Sequence, residues 1–362
     1  MKTDEMTCRE RLLAALTGKE TDRVPFSPFL AYYFDYLDDE TRKKGEFSYL
    51  QQMGADPLLR GNGMAWQKKS RRCQVNETIE GARRTVVYQT PYGDLTAEYS
   101  YASEGGTWFM TRHPIKTEED LKRLQFYYED MEIVEAITEY NRIHRDFGEA
   151  ALDFPLVGTD LKSSYQALLE HWAGTENLIY FTYDYPDQLA ATLAAMREKS
   201  AETVAITLKS DADAALFWED SSTTNLSPDF YETYIAPEVT QWADSFNQAG
   251  KLLVQHACGH LKGLLPAITA QGIHVIESVS TSPTGNLDPS ALFAGIPDEV
   301  ALIGGLDPVT LLSAPMKELE AVVRSLLEQA KGRRYVLANA DSCPPGVAYE
   351  RFLLLANLVR GN

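Results

Sequence analysis

The chain is poor in the features that classify a protein fastest. It has four cysteines in 362 residues, Cys8, Cys73, Cys258 and Cys343, too few and too scattered for a disulfide framework. No run approaches the roughly 18 uninterrupted apolar residues that a membrane-spanning helix needs. The opening, Met1 to Met6, carries Lys2, Asp4 and Glu5 where a secretory signal would place apolar residues. These absences predict a cytoplasmic protein with reduced thiols and no membrane association. Basic residues are scarce too. Thirty-four Lys and Arg stand against 52 Asp and Glu, a net charge of −18 with a pI near 4.8. That field repels nucleic acid and anionic membranes, and leaves room for a protein partner with a basic docking face. Also missing are a Gly-x-Gly-x-x-Gly turn after a strand, a Walker lysine loop and a Gly-x-Ser-x-Gly elbow. Nicotinamide, nucleotide and serine-hydrolase chemistry therefore have no support.

What is present is a soluble globular composition, 44% hydrophobic and 24% charged. Eight short apolar runs bounded by polar, Gly or Pro residues read as buried strands: 24–30, 56–60, 151–157, 214–218, 252–256, 274–279, 300–303 and 335–338. Helical spacing fills most of the gaps. Leu319, Val322, Val323, Leu326, Leu327 and Ala330 stripe one helix, and Leu189, Leu193 and Met196 another. Ser227-Pro228 reads as an N-cap followed by Pro at the first helical position, opening a helix that Pro237 kinks. Eight strands with intervening helices fit an α/β fold of the parallel (β/α)8 barrel type better than an open sheet. The expectation is a single barrel domain over 1–362, with an N-terminal helix over 5–18. About residues 71–112 the pattern changes to polar–apolar alternation around Pro91-Tyr92-Gly93-Asp94. This predicts an antiparallel meander inserted after the second strand, serving as a lid, as a docking surface, or as a plain excursion.

The sharpest chemical feature is His256-Ala257-Cys258-Gly259 at the end of the fifth run. Residues two apart on a strand face one side, so an imidazole and a thiol point together. Cys343, after the eighth run, offers a third soft donor. His256, Cys258 and Cys343 would make a three-ligand zinc site with one position open, as in catalytic zinc. The alternative is ordinary core packing of a small hydrophobe and a hydrogen-bonded imidazole. Two acids also fall at strand ends, Glu219 (beside Asp220) and Glu277. Each reads as a fourth ligand, a general acid, or a salt bridge within the barrel. Tyr32, Tyr33, Trp66 and Trp218 crowd the expected mouth and could line an apolar substrate pocket, or simply pack.

With these residues in view, the chain resembles the uroporphyrinogen decarboxylase superfamily over nearly its whole length. The resemblance rests on the N-terminal helix leading into Asp22-Arg23-Val24-Pro25, on Gly285-Asn286-Leu287-Asp288-Pro289 and Gly304-Gly305-Leu306-Asp307-Pro308, and on Cys343-Pro344-Pro345-Gly346-Val347-Ala348-Tyr349-Glu350-Arg351. It implies a (β/α)8 barrel. It also implies either metal-free tetrapyrrole decarboxylation or zinc-dependent methyl transfer with corrinoid proteins, on methanol, methylamines, methoxylated aromatics or thiols. In the thiol-methylating branch a His-x-Cys pair and a distant Cys hold zinc, which maps onto His256, Cys258 and Cys343. The decarboxylase branch resembles an Arg-rich loop after the first strand. Here no Lys or Arg lies between Val24 and Thr41, and the loop carries Asp35, Asp38, Asp39 and Glu40. A polycarboxylate would be repelled. The expectation is a zinc methyltransferase acting on a small methyl donor or thiol acceptor, with its corrinoid on a separate protein, since no Asp-x-His-x-x-Gly stretch occurs. A uroporphyrinogen-type decarboxylase and a non-catalytic partner barrel are the alternatives.

Overall fold

Proline decides where several of the expected strands begin and end. The computed structural model describes residues 4–103 and 106–361. Its strands are β1 (Leu58–Arg60), β2 (Trp66–Ser70), β3 (Gln74–Glu80), β4 (Arg83–Thr90), β5 (Gly93–Ala102), β6 (Thr107–Arg112), β7 (Met131–Glu135), β8 (Leu152–Phe154), β9 (Ala214–Trp218), β10 (Leu252–His256), β11 (Val275–Val279), β12 (Ala301–Leu306) and β13 (Tyr335–Asn339). The first expected strand, 24–30, shrinks to a single parallel bridge between Phe26 and Leu337, because Pro25 and Pro28 on either side have no N–H to donate. Pro57 and Pro155 likewise trim β1 and β8 relative to the apolar runs that contain them.

Strands β9 to β13 form one parallel sheet in sequential order, and β1 pairs in parallel with β8. Hydrogen bonding continues past both. Leu156 bridges Leu216 of β9, and the Asp56 N–H donates to the Phe26 carbonyl at 2.7 Å. Side chains alternate with the two-residue period of a pleated strand. Leu58, Phe154, Leu216, Val254, Val275, Ile303 and Val336 pack into one buried cluster with Leu12, Ala15 and Leu16. Their neighbours Leu59, Phe217, Leu253, Ile276, Leu302 and Leu337 join the larger core under the helices.

The helix contributing Leu12 runs Cys8–Thr17, shorter than 5–18, because Thr7 and Glu10 form a capping box and Gly18 turns left-handed at its end. Its Arg11, fully buried, donates to Asp22 and to Asp56, each at 2.6 Å. Asp56 also accepts from Arg23 and from the Phe26 N–H. The Asp22-Arg23 pair noted in the sequence is therefore part of an ionic lattice that ties the first helix to the first two strand segments.

The meander is a four-stranded antiparallel sheet, β3-β4-β5-β6. The excursion begins earlier than residue 71, since β2 pairs antiparallel with β7. Asp130, between the helix Glu118–Glu129 and β7, accepts the N–H groups of Arg71, Arg72 and Cys73 at 3.0, 2.7 and 3.0 Å. Burial raises this carboxyl, but the Arg72 and Cys73 N–H groups outweigh it and pull it down to about 2. The helix after Ser227 is interrupted rather than smoothly kinked: a wide π turn, Tyr231–Ile235, precedes Ala236–Gln248. Pro237 has no N–H for the Thr233 carbonyl, and the wide turn absorbs the lost bond. The four cysteines form no disulfide, and among the described residues no helix is long and apolar enough to cross a membrane.

Two stability outcomes follow. Arg11→Met removes the buried cation from Asp22 and leaves Asp56 to Arg23 alone, and should cost about 3–5 kcal/mol in urea unfolding; a loss below 1 kcal/mol would show the lattice to be dispensable. Asp130→Ala leaves three N–H groups unmatched and should cost about 1–3 kcal/mol at pH 7. Because the folded carboxyl sits below its unfolded value near 4, its contribution is complete above that value and fades as pH falls through about 2. The deficit of the variant should therefore shrink in acid, and a pH-independent deficit would contradict the carboxylate's role.

Candidate metal centre

One strand period beyond the inward apolar cluster, toward the C-terminal strand ends, the same row turns polar. Leu58 is followed by Arg60, Leu216 by Trp218, Val254 by His256 and Val275 by Glu277. Sheet register sets His256 beside Trp218 on one side and Glu277 on the other. Three adjacent positions thus bring an indole, an imidazole and a carboxylate together, and Arg60 reaches the carboxylate from β1.

Glu277, 1% exposed, divides its carboxylate. Oε1 accepts from Arg60 Nε at 2.8 Å, and Oε2 lies 2.5 Å from His256 Nδ1. Burial opposes the charged form of both groups. Arg60 and His256 more than offset it for Glu277, holding it below the usual carboxylate range, and Glu277 lifts His256 above the usual imidazole value. With Nδ1 occupied, Nε2 is the free donor. It lies 3.5 Å from Asp220 Oδ1, and Cys258 Sγ lies 3.4 Å from the same oxygen. One atom each from Asp220, His256 and Cys258 falls within 4.8 Å of the others. Imidazole, carboxylate and thiol together form a donor set that suits zinc, with a carboxylate fixing the imidazole from behind as metal-binding histidines require. The residues fit the ion. Burial first, then the Asp220 carboxylate, pushes the Cys258 thiol far up, so its anion depends on a neighbouring positive charge.

An aromatic wall flanks these donors. Phe29 stacks on Trp218 with centroids 5.5 Å apart, and Trp218 meets the His256 ring edge-on at 4.9 Å. Asn339 holds Phe29 by both its backbone N–H and its carbonyl. Four non-glycine residues adopt left-handed backbone here, Ala31, Leu161, Ser278 and Asp341, all just beyond or at the C-terminal ends of parallel strand segments. Such conformations cost of order 1–3 kcal/mol each and gather where a site constrains the chain.

Some expected site residues meet at this place and others do not. His256 and Cys258 are adjacent. Glu277 is both a salt bridge to Arg60 and the support of His256. Glu219 is fully buried, accepting the N–H and hydroxyl of Ser163 at 2.8 Å each, and burial pushes it up to about 8. Trp218 forms the wall, and Tyr32 is exposed. Tyr33 and Trp66 instead sit in the core: the Tyr33 ring packs on Phe352 and its hydroxyl pairs with Tyr49, while the Trp66 indole N–H donates to the Leu156 carbonyl. Cys343 is buried in the large hydrophobic cluster, outside the donor group. Its N–H donates to the Phe29 carbonyl and its carbonyl accepts from Tyr33, which places its backbone at the site and its sulfur in the core. Sequence reasoning noticed Asp220 only as the neighbour of Glu219, and it missed Arg60 and also Lys162, whose ammonium bonds Asp220 Oδ2 at 2.9 Å. Arg60 carried a readable signal, a charge two residues after Leu58 on an otherwise apolar strand.

In fold, the chain is similar to a methyltransferase from Methanosarcina mazei, with a TM-score of 0.62 at 16% identity over 99% of each chain. A GH5-4 endoglucanase from an uncultured bacterium aligns over 100% of this chain and 98% of its own at 11% identity, with a TM-score of only 0.40, too low to carry an argument. No curated protein sequence matches the chain. The family model for uroporphyrinogen decarboxylase (URO-D) matches residues 94–361, well over half of the sequence, and the chain therefore belongs to that family.

Proposed function

We propose that this protein is a zinc-dependent methyltransferase, moving a methyl group between a small substrate and a corrinoid carried by a separate protein. The observation that carries this reading is the convergence of Asp220, His256 and Cys258, with Glu277 and Arg60 behind the imidazole. The ligand set proposed is thus Asp220, His256 and Cys258, with Asp220 where Cys343 was expected. Three protein donors leave a fourth position for a substrate atom on a tetrahedral ion. The scaffold is proposed to be a single closed (β/α)8 barrel. Supporting this are the inward cluster drawn from seven strands, the bonds at Leu156–Leu216 and Phe26–Leu337, and the fold of the M. mazei methyltransferase.

A bound zinc ion would act as a Lewis acid toward a substrate oxygen or sulfur. The chain's own residues prepare that place. Glu277 keeps the His256 lone pair at Nε2 directed toward Asp220 and Cys258. Phe29 and Trp218 exclude water along one side, favouring an apolar methyl-bearing group. Glu219 staples the loop that carries Ser163 and Lys162, a positioning role rather than acid catalysis. Decarboxylation of a polycarboxylate is disfavoured by charge: Arg60 is already paired with Glu277, and Lys162 with Glu170 and Asp220. The corrinoid protein would approach over the aromatic loop and the antiparallel sheet. These are joined where the Tyr36 hydroxyl donates to the Ser103 carbonyl, and they expose Tyr32, Tyr36 and Phe109 at 42, 48 and 59%.

Elemental analysis of protein purified without chelator should find about one zinc per chain. His256→Ala and Cys258→Ser should lose most of it, and Cys343→Ser should keep it; full occupancy in the first two variants would overturn the ligand assignment. Mixing the zinc-loaded protein with corrinoid proteins and methyl donors or thiols should interconvert cobalt(I) and methyl–cobalt(III), followed by absorbance. The rate should fall with added salt if docking is charge-steered. Turnover without any corrinoid would overturn the partner, and zinc binding with no transfer to any partner would favour a non-catalytic barrel.

A further inference from the structure

Beside the donors lies a buried cation that the mechanism above does not use. Lys162, its side chain 5% exposed, bonds Asp220 Oδ2 at 2.9 Å and also bonds Glu170. An ammonium group is costly to bury unless carboxylates receive it, and the chain devotes several devices to putting it there. Leu161 turns left-handed just before it, and its carbonyl accepts from the Trp218 N–H at 2.6 Å. Gly158, also left-handed, passes so close that a Cβ would lie 2.7 Å from the Lys162 carbonyl oxygen. On the other side, Ser163 and Ser164 are each held through N–H and hydroxyl by a separate buried acid, Glu219 and Glu238. The π turn Leu168–Ala173 brings Glu170 to the ammonium, and Gln166 bonds both Glu170 and the Asp220 carbonyl.

We propose that Lys162 is a positioning residue of the metal centre: it occupies one oxygen of Asp220 so that only the other faces the ion, and Glu170 holds Lys162 in that task. This rests on the metal reading above. Asp220 Oδ1 points at His256 Nε2 and Cys258 Sγ, while Oδ2 is already bonded to Lys162. A carboxylate free at both oxygens can bind an ion through both and fill the position that a substrate atom needs. A carboxylate tied at one oxygen by an ammonium is biased against this, because the bonded oxygen has a lone pair committed and less negative charge to give the ion. The arrangement mirrors the other side of the site, where Glu277 fixes His256 and Arg60 fixes Glu277. A loop-stabilising ion pair would explain the burial of Lys162. It would not explain why the shared carboxylate is the one aimed at the imidazole and thiol.

The experiment uses the full chain, with zinc affinity measured by competition against a chromophoric chelator and coordination by the visible bands of the cobalt(II)-loaded protein. Lys162→Met should weaken zinc binding by about 10–100-fold, the usual range for losing an outer support. Its cobalt spectrum should shift from the intense bands of four-coordination toward the weaker ones of five-coordination as Asp220 binds through both oxygens. Glu170→Gln keeps the lysine and should shift both readouts the same way by less. It decides the matter if Lys162→Met does not fold, as judged by circular dichroism. A folded Lys162→Met, or failing that Glu170→Gln, with wild-type affinity and an unchanged cobalt spectrum overturns the inference alone. A wild-type protein that takes up neither metal overturns the metal reading and this inference with it.

Discussion

The buried carboxylate of Glu277 is the interaction on which the site depends. It lies in β11 between a guanidinium from β1, 217 residues earlier, and an imidazole from the neighbouring β10, so it links the first strand to two late ones. In low dielectric an acid in this place must be neutral or matched, and here two partners match it. Its cost is offset only while all three strands keep their register. The consequence reaches the chemistry, because the atom of His256 that Glu277 does not touch is the one left to face Asp220 and Cys258.

Around this linkage the inward row of the strands divides into layers of different character. The lower layer is aliphatic and closes on the N-terminal helix through Leu12, Ala15 and Leu16, with Arg11 and its acids locking the helix in place. The layer above is polar and aromatic. Rigid packing below and strained loops above are complementary. Left-handed Leu161, Ser278 and Asp341 persist because neighbouring strands, buried acids and capping bonds leave those loops few alternatives. Tyr234 of the π turn Tyr231–Ile235 stacks on Tyr165 in the short helix Ser164–Ala167 that leads into the π turn Leu168–Ala173, another irregularity tied to the loop that carries Lys162.

Membership of the URO-D family and the fold similarity to a methyltransferase bear on this layer unequally. Fold alone allows many chemistries on one scaffold. What narrows the choice here is local: two cations close to the centre, both committed to carboxylates, and a nitrogen, an oxygen and a sulfur donor converging beside a stacked aromatic pair. Among the described residues, Arg60 and Lys162, the cations beside these donors, are both paired with carboxylates.

Much of this was legible in the residues themselves. Apolar runs of strand length located β9 and β10 to the residue. The alternation from Arg71 to Arg112 marked the antiparallel sheet, and His-x-Cys at a strand end placed two donors on one side by period alone. Capping residues set the bounds of local helices, as Ser227-Pro228 did. Spacing could not say which side chain would lie beside His256 and Cys258. Cys343 was chemically the better match to a soft ion, yet its backbone engages Phe29 and Tyr33 and its sulfur turns into the core. Asp220 lies beside His256 and Cys258 and is bonded by Lys162, 58 residues earlier in the chain. Tyr33 and Trp66 read as pocket aromatics until packing gave their polar tips partners inside the protein. One strand's pattern is written in consecutive residues, where a two-residue period can be read. The order in which strands lie side by side, and the turns that carry a lysine inward, depend on contacts between distant segments, and only the tertiary structure decides them.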